Sequence, residues 1–258
     1  MFDGIEIFFN ALKEKCLFDE EYAAEILKAR GFLLEDDGLV LSDNSHKDDA
    51  AYLNVLLTAD DLGEVKDGKI FIAPNANVEK IFYSKLINGC EAWLGMEITW
   101  ERFVHDSCAP KVPLSYLEPF IGRYVKAISA CGAATWCSCD GNHPNAQRIS
   151  IDFSGEPHRF WHEIICRRCL AKRFKLNWRH EYDYFKIKFT KANKWQTYVE
   201  LNRAAEFLYN NRILLRQIRR EASDAIGLRM ARTLPRDELS QIFSERANML
   251  FEKATLRA

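Results

Sequence analysis

Apolar and polar positions alternate along the chain with two different periods, and these periods predict its elements. In residues 4–15 the apolar positions follow the 3.6-residue repeat of an amphipathic helix. A second helix is predicted from Asp19, a residue type favoured at helix starts, to Gly31, a residue type favoured just past helix ends. The Asp-Gly pairs at 37–38 and 67–68 stand between short apolar runs and predict two β-hairpins.

With a further predicted helix at 48–57, residues 1–75 are similar in outline to a winged-helix module. This first region is acidic, with 7 Lys/Arg against 17 Asp/Glu. Its predicted wing carries Glu35, Asp36 and Asp37, which would repel the phosphates of DNA. We therefore interpret residues 1–75 as a module that contacts a protein partner, or as a purely structural domain.

The remaining chain divides into three further regions. A helical connector is predicted over 76–112, with a helix at 78–88, and the sequence C-A-P-K-V-P marks its end. An α-β-β-α-β-α layer follows over 113–195, and helices are predicted over 196–258, the last beginning after Pro235. The layer is assigned helices at 114–131 and 157–174, strands at 133–139, 148–153 and 182–189, and a long helix from 194 toward 220. The predicted fold class is α+β.

Composition excludes several classes of protein. No run of 18 or more apolar residues occurs, so neither a bilayer span nor a membrane partner is predicted. The first residues lack the pattern of a secretory signal. The motifs of P-loop nucleotide hydrolases, dinucleotide-binding folds, zinc proteases and serine hydrolases are absent. The eight cysteines include close C-x-C and C-x-x-C spacings, which indicate metal ligands or buried thiols in a reducing compartment. We predict a cytoplasmic location.

Two cysteine-rich segments predict a zinc site. In T-W-C-S-C-D-G-N-H, residues 135–143, strand alternation places both cysteines on one face. In H-E-I-I-C-R-R-C, residues 162–169, helical spacing places the histidine and both cysteines on one face. We expect a strand thiol within about 6 Å of a helix thiol. Four tetrahedral zinc ligands are then predicted from Cys137, Cys139, His162, Cys166 and Cys169. The alternatives are small buried core thiols and a nucleophilic Cys139 beside His143.

The D-G-N-H turn is a second candidate site, with Asp140 and His143 as catalytic residues. His143 would act as a general base, and Asp140 would orient it or bind a cation. On this basis the chain could be a metal-assisted enzyme acting on a small molecule or a nucleotide. The competing interpretation is an ordinary turn whose side chains cap their own backbone. Whether the protein is an enzyme stays open at this point.

A basic band lies beyond this turn: residues 159–194 carry 11 Lys/Arg against 3 Asp/Glu. Positive charge interleaved with aromatic rings is typical of surfaces that bind single-stranded nucleic acid. The leading hypothesis is therefore a nucleic-acid-associated protein with a zinc site. Solvated basic residues at a helix end, and a non-catalytic subunit acting through residues 1–75, are the alternatives. The candidate nucleic-acid-binding residues are Arg167, Arg168, Lys172, Arg173, Lys175, Trp178, Arg179, Lys186 and Lys188.

Overall fold

The structure is a computed structural model that describes residues 4–35, 38–83, 98–106, 110–143, 147–181 and 184–256. These residues form an α+β fold, as predicted, with two small antiparallel sheets and a helical C-terminal region. No helix among them combines the length and the apolar composition needed to cross a bilayer.

The first region contains helices followed by a hairpin, in the predicted order. Its elements are α1 (Glu6–Lys13), α2 (Asp19–Arg30), α3 (Asp49–Ala59), β1 (Gly63–Lys66) and β2 (Lys69–Ile72). The hairpin predicted around 37–38 is represented by a single bridge between Leu34 and Leu41. Asp36 and Asp37 of the predicted acidic wing lie outside the described residues.

The described part of the connector contains less helix than predicted. A 3₁₀ turn, Val78–Phe82, occupies the start of the helix expected at 78–88, and the end of that prediction lies outside the described residues. Helix α4 (Trp100–His105) follows. The helix expected at 114–131 is also divided, into a 3₁₀ turn at Leu114–Tyr116 and helix α5 (Gly122–Ala130). Pro119 explains the division, because its ring disfavours a helical conformation in the preceding residue.

The central layer contains one strand more than predicted. Its elements are α5, β3 (Thr135–Cys139), β4 (Arg148–Phe153), α6 (Glu156–Ile165), β5 (Trp178–Glu181), β6 (Tyr184–Lys188) and α7 (Lys194–Asn210). The four strands form an antiparallel sheet in the order β3-β4-β6-β5. The strand predicted at 182–189 corresponds to β6. The additional strand, β5, lies within the basic band, where no strand was predicted before residue 182.

Two of the predicted long helices are interrupted. Helix α6 ends at Ile165, and a π-helical turn, Cys166–Leu170, follows it directly. The hydrogen bond from Ala171 N to Cys166 O, at 2.9 Å, has the five-residue spacing of a π-helix. The helix predicted from 194 toward 220 is divided at Asn211 into α7 and α8 (Arg212–Thr233). The last helix, α9 (Arg236–Lys253), follows Pro235 as predicted.

The four-stranded sheet has a buried inner face and a solvent-facing outer face. On β4, Ile149, Ile151 and Phe153 are buried, and on β6 the same is true of Phe185 and Ile187. Helices α5 and α6 cover this inner face: the Tyr124 ring stacks on Phe185 at 6.0 Å, and His162 lies 4.8 Å from Phe153. Because side chains alternate along a strand, the residues between these positions point outward.

A single cluster of buried apolar side chains extends from Phe8 in α1 to Ala247 in α9. Phe8 packs edge-on against Phe120 at 5.5 Å, and α1 lies against α7. The first and third regions of the chain therefore share one hydrophobic core.

A buried ion pair joins α3 to α5. Lys126 Nζ lies 2.5 Å from Asp49 Oδ2, and the two side chains are 4% and 1% exposed. The same carboxylate accepts hydrogen bonds from the backbone N–H groups of Leu114, at 3.0 Å, and His46, at 3.0 Å. Asp49 thus satisfies a buried ammonium and two amides at once.

Candidate metal centre and open sheet face

Three potential metal ligands meet on the inner side of the sheet: His162, Cys166 and His180. His162 and Cys166 lie one helical turn apart, where α6 passes into the π turn, and His180 comes from β5. One ligand atom from each lies within 4.8 Å of the other two. His162 and Cys166 are completely buried, and His180 is partly buried.

The distances within this group are close to those that a tetrahedral ion requires. His162 Nδ1 lies 3.0 Å from His180 Nε2, and Cys166 Sγ lies 3.8 Å from His162 Nδ1. Zinc bond lengths and tetrahedral angles imply about 3.3 Å between two nitrogen ligands and about 3.6 Å between nitrogen and sulfur. The remaining pair, Cys166 and His180, lies within 4.8 Å, so the group could hold a metal ion.

Tyr124 would support such an ion from outside the ligand set. Its hydroxyl lies 2.9 Å from His162 Nε2, the nitrogen that faces away from His180. If Nδ1 bound a metal, Nε2 would carry the proton and would donate a hydrogen bond to the tyrosine oxygen, which would hold the ring in its orientation. Residues outside the ligand set commonly hold metal-binding histidines in this way.

In this apolar surrounding, His162 and His180 already have the protonation state that metal binding requires. Burial lowers the pKa of His162 well below its usual value and that of His180 to about 3, so both imidazoles are neutral. Burial raises the pKa of the Cys166 thiol, which a bound cation would have to deprotonate. His180 Nδ1 is buried and has no hydrogen-bond partner among the described residues.

The structure separates the predicted zinc ligands into two sets. Cys137 lies opposite Asp152 on the outer face, with Sγ 3.0 Å from Oδ2, and Cys139 lies opposite Ser150. Helix α6 covers the other face, so the sheet itself separates these thiols from His162 and Cys166. Cys169 is buried but does not belong to the three-residue group. The expected proximity of strand and helix thiols is therefore not observed.

His180 was missed because residues 178–181 were assigned to the basic band rather than to a strand. The available signal was the alternation in W-R-H-E, which places Trp178 and His180 on one side and Arg179 on the other. The register confirms this alternation, since Trp178 is opposite Ile187 and His180 is opposite Phe185.

In the D-G-N-H turn, Asp140 caps the backbone. It is 3% exposed, and its two carboxylate oxygens accept from Asn142 N at 2.7 Å and Phe120 N at 3.2 Å. Gly141 has a φ of 70°, and a Cβ there would lie 2.2 Å from the Arg148 carbonyl oxygen. His143 is exposed, and its Nε2 lies 3.4 Å from Cys139 Sγ. The structure thus does not join the two predicted catalytic side chains in a hydrogen bond.

A second carboxylate lies against Asp140. Glu118 Oε2 accepts from Asp140 N at 2.5 Å. Burial, and then the negative charge of Glu118, raise the pKa of Asp140 to about 7. Burial also raises the pKa of Cys139 to about 12, so its thiol is protonated at neutral pH and is a poor nucleophile. This arrangement fits a structural turn better than a thiol-based active site.

The members of the basic band occupy different surfaces. Arg179, Lys186 and Lys188 lie on the outer face of the sheet. Trp178 turns inward, with its ring 6.3 Å from Phe185, and Arg173 stacks on Phe207. Neither aromatic contact leaves a ring free for base stacking. Exposed side chains on and after the π turn belong to Arg167, Arg168, Lys172 and Lys175.

The outer face carries like charges directly opposite each other. Arg148 is the cross-strand neighbour of Lys188. Neither forms an ion pair within 4.0 Å with another described residue, although the charge of Lys188 contributes to the lowered pKa of Glu181. Arg179 is the neighbour of Lys186, and Glu181 forms ion pairs with both of these. Tyr184, 42% exposed, lies on the same face, with Lys186 Nζ 5.0 Å from the centre of its ring. Arg148 and Tyr184 were not among the candidate residues from sequence.

Comparison with protein-family models, with curated proteins and with solved structures finds no match for this chain. Its function is therefore argued from the geometry alone.

Proposed function

We propose that the protein binds single-stranded nucleic acid on the outer face of its four-stranded sheet. The observation that carries the proposal is the cross-strand pair Arg148–Lys188. Like charges directly opposite each other destabilise a sheet, and no described carboxylate forms an ion pair with either of these. A bound phosphate would neutralise both charges.

Tyr184 supplies the second component of such a surface. Single-stranded nucleic acids bind to platforms where cations contact phosphates and rings stack on bases, because every base has a flat face. Tyr184 presents an exposed ring beside Lys186 and opposite Asp152. The solvent-facing side of the sheet suits splayed bases better than a duplex, whose bases are stacked on each other.

Replacing the charged pair, in Arg148→Gln/Lys188→Gln, should weaken binding of a single-stranded oligonucleotide at least tenfold. Two lost phosphate contacts should also reduce the slope of log K against log salt by about 1.4. Fluorescence anisotropy with labelled RNA and DNA at several salt concentrations measures both quantities. The melting temperature should stay the same or rise, because a repulsive pair has been removed.

Two matched controls test whether the loss of any exposed charge or any exposed ring would weaken binding. Lys253→Gln removes an exposed charge on α9, and Tyr83→Leu removes a ring that is 43% exposed. Both should bind as the wild type does, whereas Tyr184→Leu should bind several-fold more weakly. Equal affinity of the wild type and the Arg148/Lys188 variant would refute the proposal.

We further propose that the His162–Cys166–His180 group binds zinc. Two imidazoles and one thiolate are ligands that zinc accepts, and a fourth position is left for water or another donor. All described cysteines are free thiols, which also fits the proposed cytoplasmic location.

Purified protein should contain about one zinc per chain by mass spectrometry of metals, and Cys166→Ser and His180→Gln should contain almost none. Cys137→Ser is the matched control, because this thiol lies on the opposite face and should leave the zinc content unchanged. Cobalt added to the apo wild type should give the charge-transfer absorption of a thiolate ligand. Zinc-free wild-type protein that also fails to bind cobalt would exclude the site.

A further inference from the structure

A cavity of about 220 Å³ lies away from the sheet, between the first region of the chain and helices α5 and α8. Four cationic side chains line it: Lys111, Lys126, Arg212 and Arg216. No aspartate or glutamate is among its lining residues.

Two of these cations are held in place by neutral groups. Lys111 Nζ donates to the carbonyl oxygens of Asp43, at 2.8 Å, and Ser45, at 3.2 Å. The Arg212 guanidinium donates to the Tyr209 carbonyl at 2.8 Å and lies 4.0 Å from the centre of the Tyr209 ring. Neither forms an ion pair with a described carboxylate. Lys126, by contrast, is paired with Asp49.

This arrangement favours an anion. Carbonyl and ring dipoles position a cation but do not cancel its full charge, so Lys111 and Arg212 together leave a concave site with positive potential. A small anion in such a site gains charge-assisted hydrogen bonds from both side chains, and the arginine offers paired donors that match phosphate oxygens.

A second compartment, of about 500 Å³, adjoins the first. The two share Leu33, Asn44, Tyr209 and Arg212 as lining residues. The larger compartment is mixed in character, with apolar Phe32 and Ile213 beside the carboxylates of Glu25 and Glu206. Sites that bind small organic molecules have volumes of this order and combine apolar walls with a few polar groups.

We propose that these two compartments form a binding site for a phosphorylated small molecule of nucleotide size. The phosphate occupies the cationic cavity, between Lys111 and Arg212. The organic part occupies the larger compartment, where the carboxylates accept hydrogen bonds from hydroxyl or amino groups. This site is independent of the nucleic-acid surface proposed above, because the two share no residue.

Isothermal titration calorimetry on the full chain tests the site, with AMP, ribose 5-phosphate, adenosine and inorganic phosphate as ligands. AMP or ribose 5-phosphate should bind at least tenfold more tightly than adenosine and than inorganic phosphate. Lys111→Gln and Arg212→Gln, which keep a hydrogen-bond donor but lose the charge, should each weaken binding at least tenfold. Arg220→Gln, on an exposed position of α8, is the control and should bind as the wild type does.

The Arg148→Gln/Lys188→Gln variant distinguishes this site from the sheet face, because it should retain full affinity for the small phosphorylated ligand. Melting curves without ligand show whether each variant is folded. Adenosine binding as tightly as AMP, or unchanged affinity in both Lys111→Gln and Arg212→Gln, would overturn the proposal. Absence of binding by both phosphorylated ligands to the wild type would overturn it as well.

Discussion

Replacing Asp49 with asparagine is expected to lower the free energy of unfolding by about 4 kcal/mol, because it leaves the Lys126 ammonium buried without a counter-charge. Asparagine keeps one oxygen for the Leu114 amide but removes the oxygen that accepts from the His46 amide, so the effect combines the lost charge with one lost hydrogen bond. The melting temperature should fall by roughly 10 °C in a chain of this size. Chemical denaturation and calorimetry measure the two quantities.

The neighbouring carboxylate provides a matched control. Asp48 is 61% exposed and lies 3.5 Å from His46, so Asp48→Asn should change stability by less than about 0.5 kcal/mol. Adding Lys126→Met to Asp49→Asn removes the unpaired charge and should recover much of the loss, giving a large coupling energy in a double-mutant cycle. If Asp49→Asn and Asp48→Asn had equally small effects, the buried pair would not be a stabilising link.

Glu118→Gln is expected to stabilise the protein at pH 8 by roughly 1 to 2 kcal/mol, since one pKa unit corresponds to about 1.4 kcal/mol. In the wild type the folded-state pKa of Asp140, about 7, lies above its ordinary value of 3.8. The native state therefore holds a proton that the unfolded chain releases between about pH 4 and pH 7, and stability falls as the pH rises through this window.

Removing the Glu118 charge lowers the pKa of Asp140 and reduces that loss. The glutamine amide can also donate to the Asp140 carboxylate while its oxygen still accepts from Asp140 N. Denaturation at pH 5 and pH 8 should show a gain only at the higher pH, where wild-type Asp140 is ionised. A variant with the same pH dependence as the wild type would show that burial alone, and not Glu118, sets this pKa.

Sequence periodicity located two members of the His162–Cys166–His180 group. The spacing of His162 and Cys166 was sufficient to place both on one helix face, because consecutive turns of a helix align residues four apart. The alternation in β3 likewise placed Cys137 and Cys139 together. Local patterns of this kind depend only on residues close together in the sequence, so they can be interpreted without knowledge of the tertiary fold.

The relation between the two segments could not be predicted from sequence. Period-two alternation shows that two residues share a face of a strand, but it does not show which face a helix will cover. Here the β3 thiols lie on the outer face of the sheet, beside Asp152 and Ser150. His180 lies on β5, a strand that was not predicted because its segment is rich in basic residues. The position of His180 beside the other two residues depends on pairing between strands, which is a long-range property.

The contact between α1 and α7 has a consequence for how the chain is made. Lys15 forms an ion pair with Glu206, a residue 191 positions later, and the first helix also packs on Phe120. A ribosome adds roughly 5 to 20 residues each second, so α1 emerges on the order of 10 to 40 s before α7 is complete. During that interval Phe8 and Phe9 can already pack against each other and against Phe82, but the contacts of α1 with α7 are missing. Part of the apolar face of α1 therefore stays uncovered until α7 has been made.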